Sequence, residues 1–251
     1  MKHFLLSCIL GLGTTAPSFS AETNLWDELL NVVVTHVKRD GPDSNTAQFI
    51  SMAPHQVWAR RTEVVELVSP FLADKNSDKV AGAIEVLYRF RCYRPASHLG
   101  DSESEHAPFF ADLDKEGYQH FDHFRELKSA GVYRTLALYL GVSGTPQAKR
   151  ELLEIARSPI AAGAKEQALI GLTWHRDRAD MDTLLPFMLE DSPAARNLPY
   201  YFRNSYGAAA LPYLRETLTE AKSEATRREA EKELRLLEHK SRNEVGPDQG
   251  S

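Results

Sequence analysis

The sequence predicts an all-α protein: an α-solenoid of helix pairs over residues 130–242, preceded by a less regular helical part. Three observations carry this. Apolar residues recur at the three-then-four spacing of one helix face along most of the chain. Strict apolar/polar alternation is absent over any useful length, so essentially no sheet is expected. The C-terminal half also repeats a basic-small-apolar signature every 31 residues. The 251 residues suffice for a sizeable core, and 42% hydrophobic with 26% charged residues is ordinary globular composition. A formal net charge of -5 argues against a nucleic-acid partner, whose phosphates call for a basic surface.

Residues 1–20 carry the pattern of a signal peptide. Met1-Lys2 give a positive start, Phe4 to Leu12 an apolar run, and Pro17 a helix breaker. The small residues Ser18 and Ser20 suit cleavage before Ala21. The run is too short to span a bilayer, and no later stretch is long and apolar enough, so no transmembrane segment is expected. The mature chain is expected to be exported, either periplasmic or secreted. Cleavage removes Cys8 and leaves Cys92 alone, so an intrachain disulfide is not possible; a buried, inert thiol is the expectation for Cys92.

Residues 24–94 form an N-terminal helical segment with three stripes. They are Trp26, Leu29, Leu30, Val33 and Val37; then Val64, Val65, Val68, Phe71 and Leu72; then Val80, Ala83, Ile84 and Leu87. Asn24, Thr62 and Ser77 or Asp78 are the candidate N-caps.

The repeat begins at residue 130. Arg134, Lys165, Arg196 and Arg227 are 31 residues apart, followed three places on by Ala137, Ala168, Pro199 and Ala230. Four further on stand Gly141, Leu172, Arg203 and Leu234. Further helical stripes lie between, with breakers at Ser158-Pro159, Asp191-Ser192-Pro193 and Tyr206-Gly207. A lone helix pair cannot bury its apolar face, and stacking on the next pair does so. A small residue in the second helix lets the neighbouring pair approach, and the basic residue then lies where it meets helix-end carbonyls. Ala164-Lys165, Ala168, Leu172 and Thr226-Arg227, Ala230, Leu234 resemble the second helix of HEAT or HEAT-like repeats. The unit with Pro199 and Arg203 departs from that pattern. The resemblance covers about half the chain and implies a curved stack used for binding, with no particular partner.

Leu185-Pro186-Phe187, Leu198-Pro199-Tyr200 and Leu211-Pro212-Tyr213 recur every 13 residues. Proline is tolerated in a helix's first turn, so three successive short helices are expected to start there. The aromatics of this region have core packing as their ordinary role and recognition as the alternative. The candidate partner-binding residues are Tyr200, Tyr201, Tyr206 and Tyr213, with Arg196 and Arg203. Residues 223–240 form a charged final helix that suits an end cap, and 243–251 an irregular tail.

Residues 95–129 interrupt the repeat and are expected to be an irregular acidic insertion. Four of the nine histidines lie here: His98, His106, His120 and His123. Imidazole and carboxylate are ligands for zinc-like ions, so these four are the candidate metal ligands. No HExxH signature accompanies them. Gly141-Val142-Ser143-Gly144 lacks the spacing and preceding strand of a nucleophile elbow, and Gly-rich phosphate loops are absent. Trp174-His175-Arg176-Asp177 is explained as a helix end, where cations meet the negative end of the dipole. A non-catalytic scaffold for a protein or peptide, with no cofactor, is therefore the expected function. A metal-binding protein or metal-dependent enzyme is the alternative.

Overall fold

The computed structural model describes residues 61–92, 103–159 and 162–244. These form α1 (Arg61–Leu72), α2 (Ser77–Cys92), α3 (Glu103–Tyr118), α4 (Phe121–Leu127), α5 (Ala130–Ser143) and α6 (Pro146–Arg157). Then follow α7 (Ala162–Trp174), α8 (Asp180–Leu189), α9 (Leu198–Tyr206), α10 (Leu211–Glu220) and α11 (Glu224–Glu244). Single 3-10 turns at Pro193–Ala195 and Gly207–Ala210 precede α9 and α10. No strand occurs among the described residues. The expected signal peptide, the Trp26–Val37 stripe, Asn24 and His98 lie outside them. The chain divides into two compact units, Met1–Tyr139 and Leu140–Ser251, and the division falls within the residue range of α5.

In the first unit α1, α2 and α3 pack on one another. On α1 the expected stripe is buried at Val64, Val68 and Leu72, while Val65 and Phe71 are half-buried; on α2 all of Val80, Ala83, Ile84 and Leu87 are buried. Each fully buried Leu or Ile contributes about 1.5–3 kcal/mol relative to exposure. The N-cap of α2 is Asn76, not Ser77 or Asp78, because its Oδ1 accepts from the Asp78 amide at 2.9 Å. Thr62 likewise lies inside α1 instead of capping it.

Cys92 departs from expectation: it is exposed. It ends α2 two residues past buried Phe90, which places it on a different side of the helix from the stripe.

The insertion also departs from expectation. Within 95–129, Glu103–Tyr118 and Phe121–Leu127 are helical. The apolar anchors Leu113, Phe121 and Phe124 are buried, and the acidic residues between them masked that spacing. A buried polar knot ties α3 to α5. The Tyr139 hydroxyl donates to Asp114 Oδ1 at 2.8 Å, and Arg91 Nη2 donates to Oδ2 at 3.1 Å. Gly117 lies under the Tyr139 ring, where a Cβ would approach to 3.0 Å.

In the second unit α6 packs on α7, α8 on α9 and α10 on α11. The second members also touch in series, α7 with α9 and α9 with α11, and α8 touches α10. The small residues of the 31-residue signature are all buried: Ala168 and Ala230 at 0% exposure, and Pro199 with them. Gly141 shows why smallness matters, since a Cβ there would lie 2.7 Å from Gly171 Cα and 2.9 Å from the Trp174 ring. Thr145 caps α6 by accepting from the Ala148 amide, and Ser192 caps the 3-10 turn before α9. Pro199 and Pro212 stand in first turns as expected, whereas Pro186 lies inside α8, which already starts at Asp180. The final helix reaches Glu244, two residues into the expected tail, because its run of Glu/Arg pairs continues the helix.

Candidate functional site

The helix α9, LPYYFRNSY, presents two sides. Leu198, Pro199, Phe202 and Tyr206 face inward, at the spacing of one helical stripe. Tyr200 and Asn204 are exposed, with Tyr201 and Arg203 partly so. Tyr200 is 42% exposed and meets Tyr201 edge-to-face at 5.1 Å. The Arg203 guanidinium lies 5.7 Å from the centre of the Tyr200 ring and donates to Glu233, a completely buried carboxylate on α11. Arg196, just before α9, is exposed and makes no ion pair among the described residues.

The six residues expected to bind a partner therefore divide. Tyr200, Tyr201, Arg196 and Arg203 share the surface at or next to α9. Tyr213 stands on α10, half-buried, its hydroxyl donating to Asp182 at 2.6 Å. Tyr206 is a correction: it is buried, one helical turn beyond Phe202 and packed on it at 5.3 Å. Phe187 and Phe202 are buried as well, which leaves them to core packing.

Polar bonds recur across successive pairs at close to the sequence period. Asn197 donates to Glu166 at 2.9 Å and Tyr213 to Asp182, each across 31 residues. Arg203 reaches Glu233 across 30. Lys149 Nζ lies 2.6 Å from Asp180, again 31 residues away, and 2.6 Å from Asp177. The periodic basic residues behave differently from one another. Arg227 donates to the Ala221 carbonyl at the end of α10, as expected for a cation at a helix C-terminus. Lys165 instead pairs with the Glu190 carboxylate at 2.6 Å and lies over the Phe187 ring.

A second cluster forms at one end of these helices. His175, just past α7, donates its Nε2–H to the Leu140 carbonyl at 3.1 Å, one of the last carbonyls of α5. Arg176 follows in the left-handed region at φ 55° and ends the turn. Asp177 and Asp180 then converge on Lys149. Burial works against the Lys149 ammonium, but its two carboxylate partners prevail and raise its pKa. The bond from Lys149 holds the Asp177 carboxyl below its usual range. Burial pushes the His175 imidazole down, against the pull of Asp180 and Asp177. Burial, with the charges of Asp180 and Asp177, pushes the Tyr206 phenol up. Asp180 Oδ2 and the Tyr206 hydroxyl are both buried without a hydrogen-bond partner among the described residues. Sequence reasoning took 174–177 only as a helix end. Its link to Lys149 and Tyr206 is invisible without the stacking of the pairs, since no local pattern joins those positions.

Of the four candidate metal ligands, the side chains of His120 and His123 are described. His98 lies outside the described residues, as does the side chain of His106. His120 precedes α4, accepts from the Gln119 amide group at 3.3 Å and lies 3.9 Å from Glu116. His123 spends its Nε2–H on the Asp74 carbonyl at 2.8 Å. Among the described residues no three His, Cys, Asp or Glu side chains converge to hold an ion. No helix among them is long and apolar enough to cross a membrane. Ser143 is buried at the end of α5 beside Thr145, with no strand before it. No protein-family model matches this chain, and neither does any curated protein or solved structure.

Proposed function

We propose that this chain is an exported, non-catalytic interaction scaffold that binds a protein or peptide. In this reading, residues 130–242 form an α-solenoid of HEAT-like pairs, and the outer side of α9 is the contact surface. The observation that carries it is the Tyr200–Arg203 pair, an exposed aromatic with a guanidinium held over it by a buried carboxylate on α11. Tyrosine and arginine on a preformed support are the residues that dominate binding energy at protein interfaces. The bonds spaced by 30 and 31 residues support the repeat, because equivalent positions of neighbouring units would meet in a regular stack.

The test compares wild type, Tyr200→Ala/Arg196→Ala and Tyr206→Phe as baits for cross-linked partner capture from the exported fraction of the source cells. The double variant is expected to keep its circular dichroism and melting temperature and to bind the captured partner about tenfold more weakly or worse. Tyr206→Phe is expected to bind normally. Undiminished binding by the double variant overturns the contact surface. N-terminal sequencing of the exported chain is expected to begin at Ala21, and a chain retaining Met1 overturns export by this signal.

A further inference from the structure

The cluster around His175 has no role in the proposed contact surface. Its imidazole is partly buried, and each element around it supplies a group. The end of α5 supplies the Leu140 carbonyl, which takes the Nε2 proton at 3.1 Å. Helix α6 supplies the Lys149 ammonium, the loop supplies Asp177, and α8 supplies Asp180, with both carboxylates 2.6 Å from Lys149 Nζ. Tyr206 of α9 lies near enough to feel the charge of both carboxylates. Arg176 and Arg178 are exposed on the same loop. The only hydrogen bond of the ring among the described residues is the one through Nε2, which leaves Nδ1 open to a proton.

We infer that His175 is an acid-sensitive latch on the joint between the α6–α7 and α8–α9 pairs. A proton on Nδ1 makes a partly buried imidazolium within the field of the Lys149 ammonium, which already holds one oxygen each of Asp177 and Asp180. Lys149 occupies one oxygen of Asp180, and in the closed joint the one hydrogen bond of the His175 ring among the described residues goes to the Leu140 carbonyl, so the new Nδ1 proton has no acceptor there unless the loop moves. Movement of 175–179 into water solvates the imidazolium and at the same time relieves two groups that the closed joint leaves unsatisfied, Asp180 Oδ2 and the Tyr206 hydroxyl. The loop is suited to move, because Arg176 through Ala179 are exposed and Arg176 occupies the left-handed region that a non-glycine residue adopts reluctantly. Acidification therefore opens this joint while the rest of the unit remains folded.

Hydrogen exchange of the full chain, corrected for the intrinsic pH dependence, tests this at pH 7.5 and 5.0. The amides of His175, Arg176, Asp180 and Met181 are hydrogen-bonded in the closed turn and report on it. The expected result is a loss of their protection of about tenfold at pH 5.0, with α11 unchanged. His175→Gln keeps a side-chain N–H donor and has no titration in this range, so its protection is expected not to change with pH. Equal loss in wild type and variant, or no loss in wild type, overturns the latch. Should the variant fail to fold, the assigned His175 ring signals in the wild type decide: a titration midpoint well apart from the midpoint of opening overturns it.

Discussion

Glu85 sits in the middle of α2 with no exposed surface, beside Arg89 and within the field of Arg134. Burial outweighs both cations and raises its pKa above the ordinary carboxylate value. A raised folded-state pKa means that the folded protein binds the proton more tightly than the unfolded one. This contribution to stability is complete below the unfolded pKa and is lost as the pH rises through the folded value. Glu85→Gln, a neutral isostere, is expected to melt higher than wild type at pH 8, with the gap closing toward pH 4. Melting curves across that range check it, and a constant gap removes the titration of Glu85 as the cause. At Gly141 the constraint is space. Gly141→Ala places a methyl against Gly171 and Trp174 and is expected to cost about 1–3 kcal/mol in chemical unfolding.

At the scale of the element, caps and cross-helix pairs set what each helix contributes. Thr145→Ala removes the side-chain cap of α6 and is expected to cost about 1 kcal/mol in urea unfolding, without altering the circular dichroism. Arg203→Ala removes the main partner of buried Glu233 and leaves it, among the described residues, Lys232 at 3.4 Å. The expected cost is about 3 kcal/mol, because a buried carboxylate without its partner is strained by desolvation. Adding Glu233→Gln to that variant is expected to recover part of the loss. A double variant no more stable than Arg203→Ala removes the charge as the cause. The stripes of α1 and α2 were legible from spacing alone, because their buried residues recur three and four apart. The helices α3 and α4 were not, because histidines and carboxylates occupy so many of their positions that composition suggested an exposed loop. The expected placement of Pro186 at a helix start failed for a related reason. Proline marks a first turn only where no earlier residue has already begun the helix, and Asp180 does so here.

For the whole molecule, zinc added to the metal-free protein is expected to leave its melting unchanged. The reason is that His123 has its Nε2 proton on the Asp74 carbonyl and His120 faces Gln119 and Glu116 instead. A shift of several degrees with one bound ion per chain reopens the metal reading. By itself the sequence determined the all-helical class, the positions of most apolar stripes, and the burial of the small residues recurring every 31 positions. Local spacing is sufficient for these, since a helix face is a property of neighbours three and four apart. Only the tertiary structure decided which aromatics reach water. Tyr200 and Tyr206 stand on one helix in similar company, and their different fates follow from which side of α9 meets the neighbouring helices. It also decided that His175, Asp177, Asp180, Lys149 and Tyr206 share one joint. Burial without a partner, as at Asp180 and Tyr206, arises from packing between elements, and a one-dimensional pattern carries no record of it.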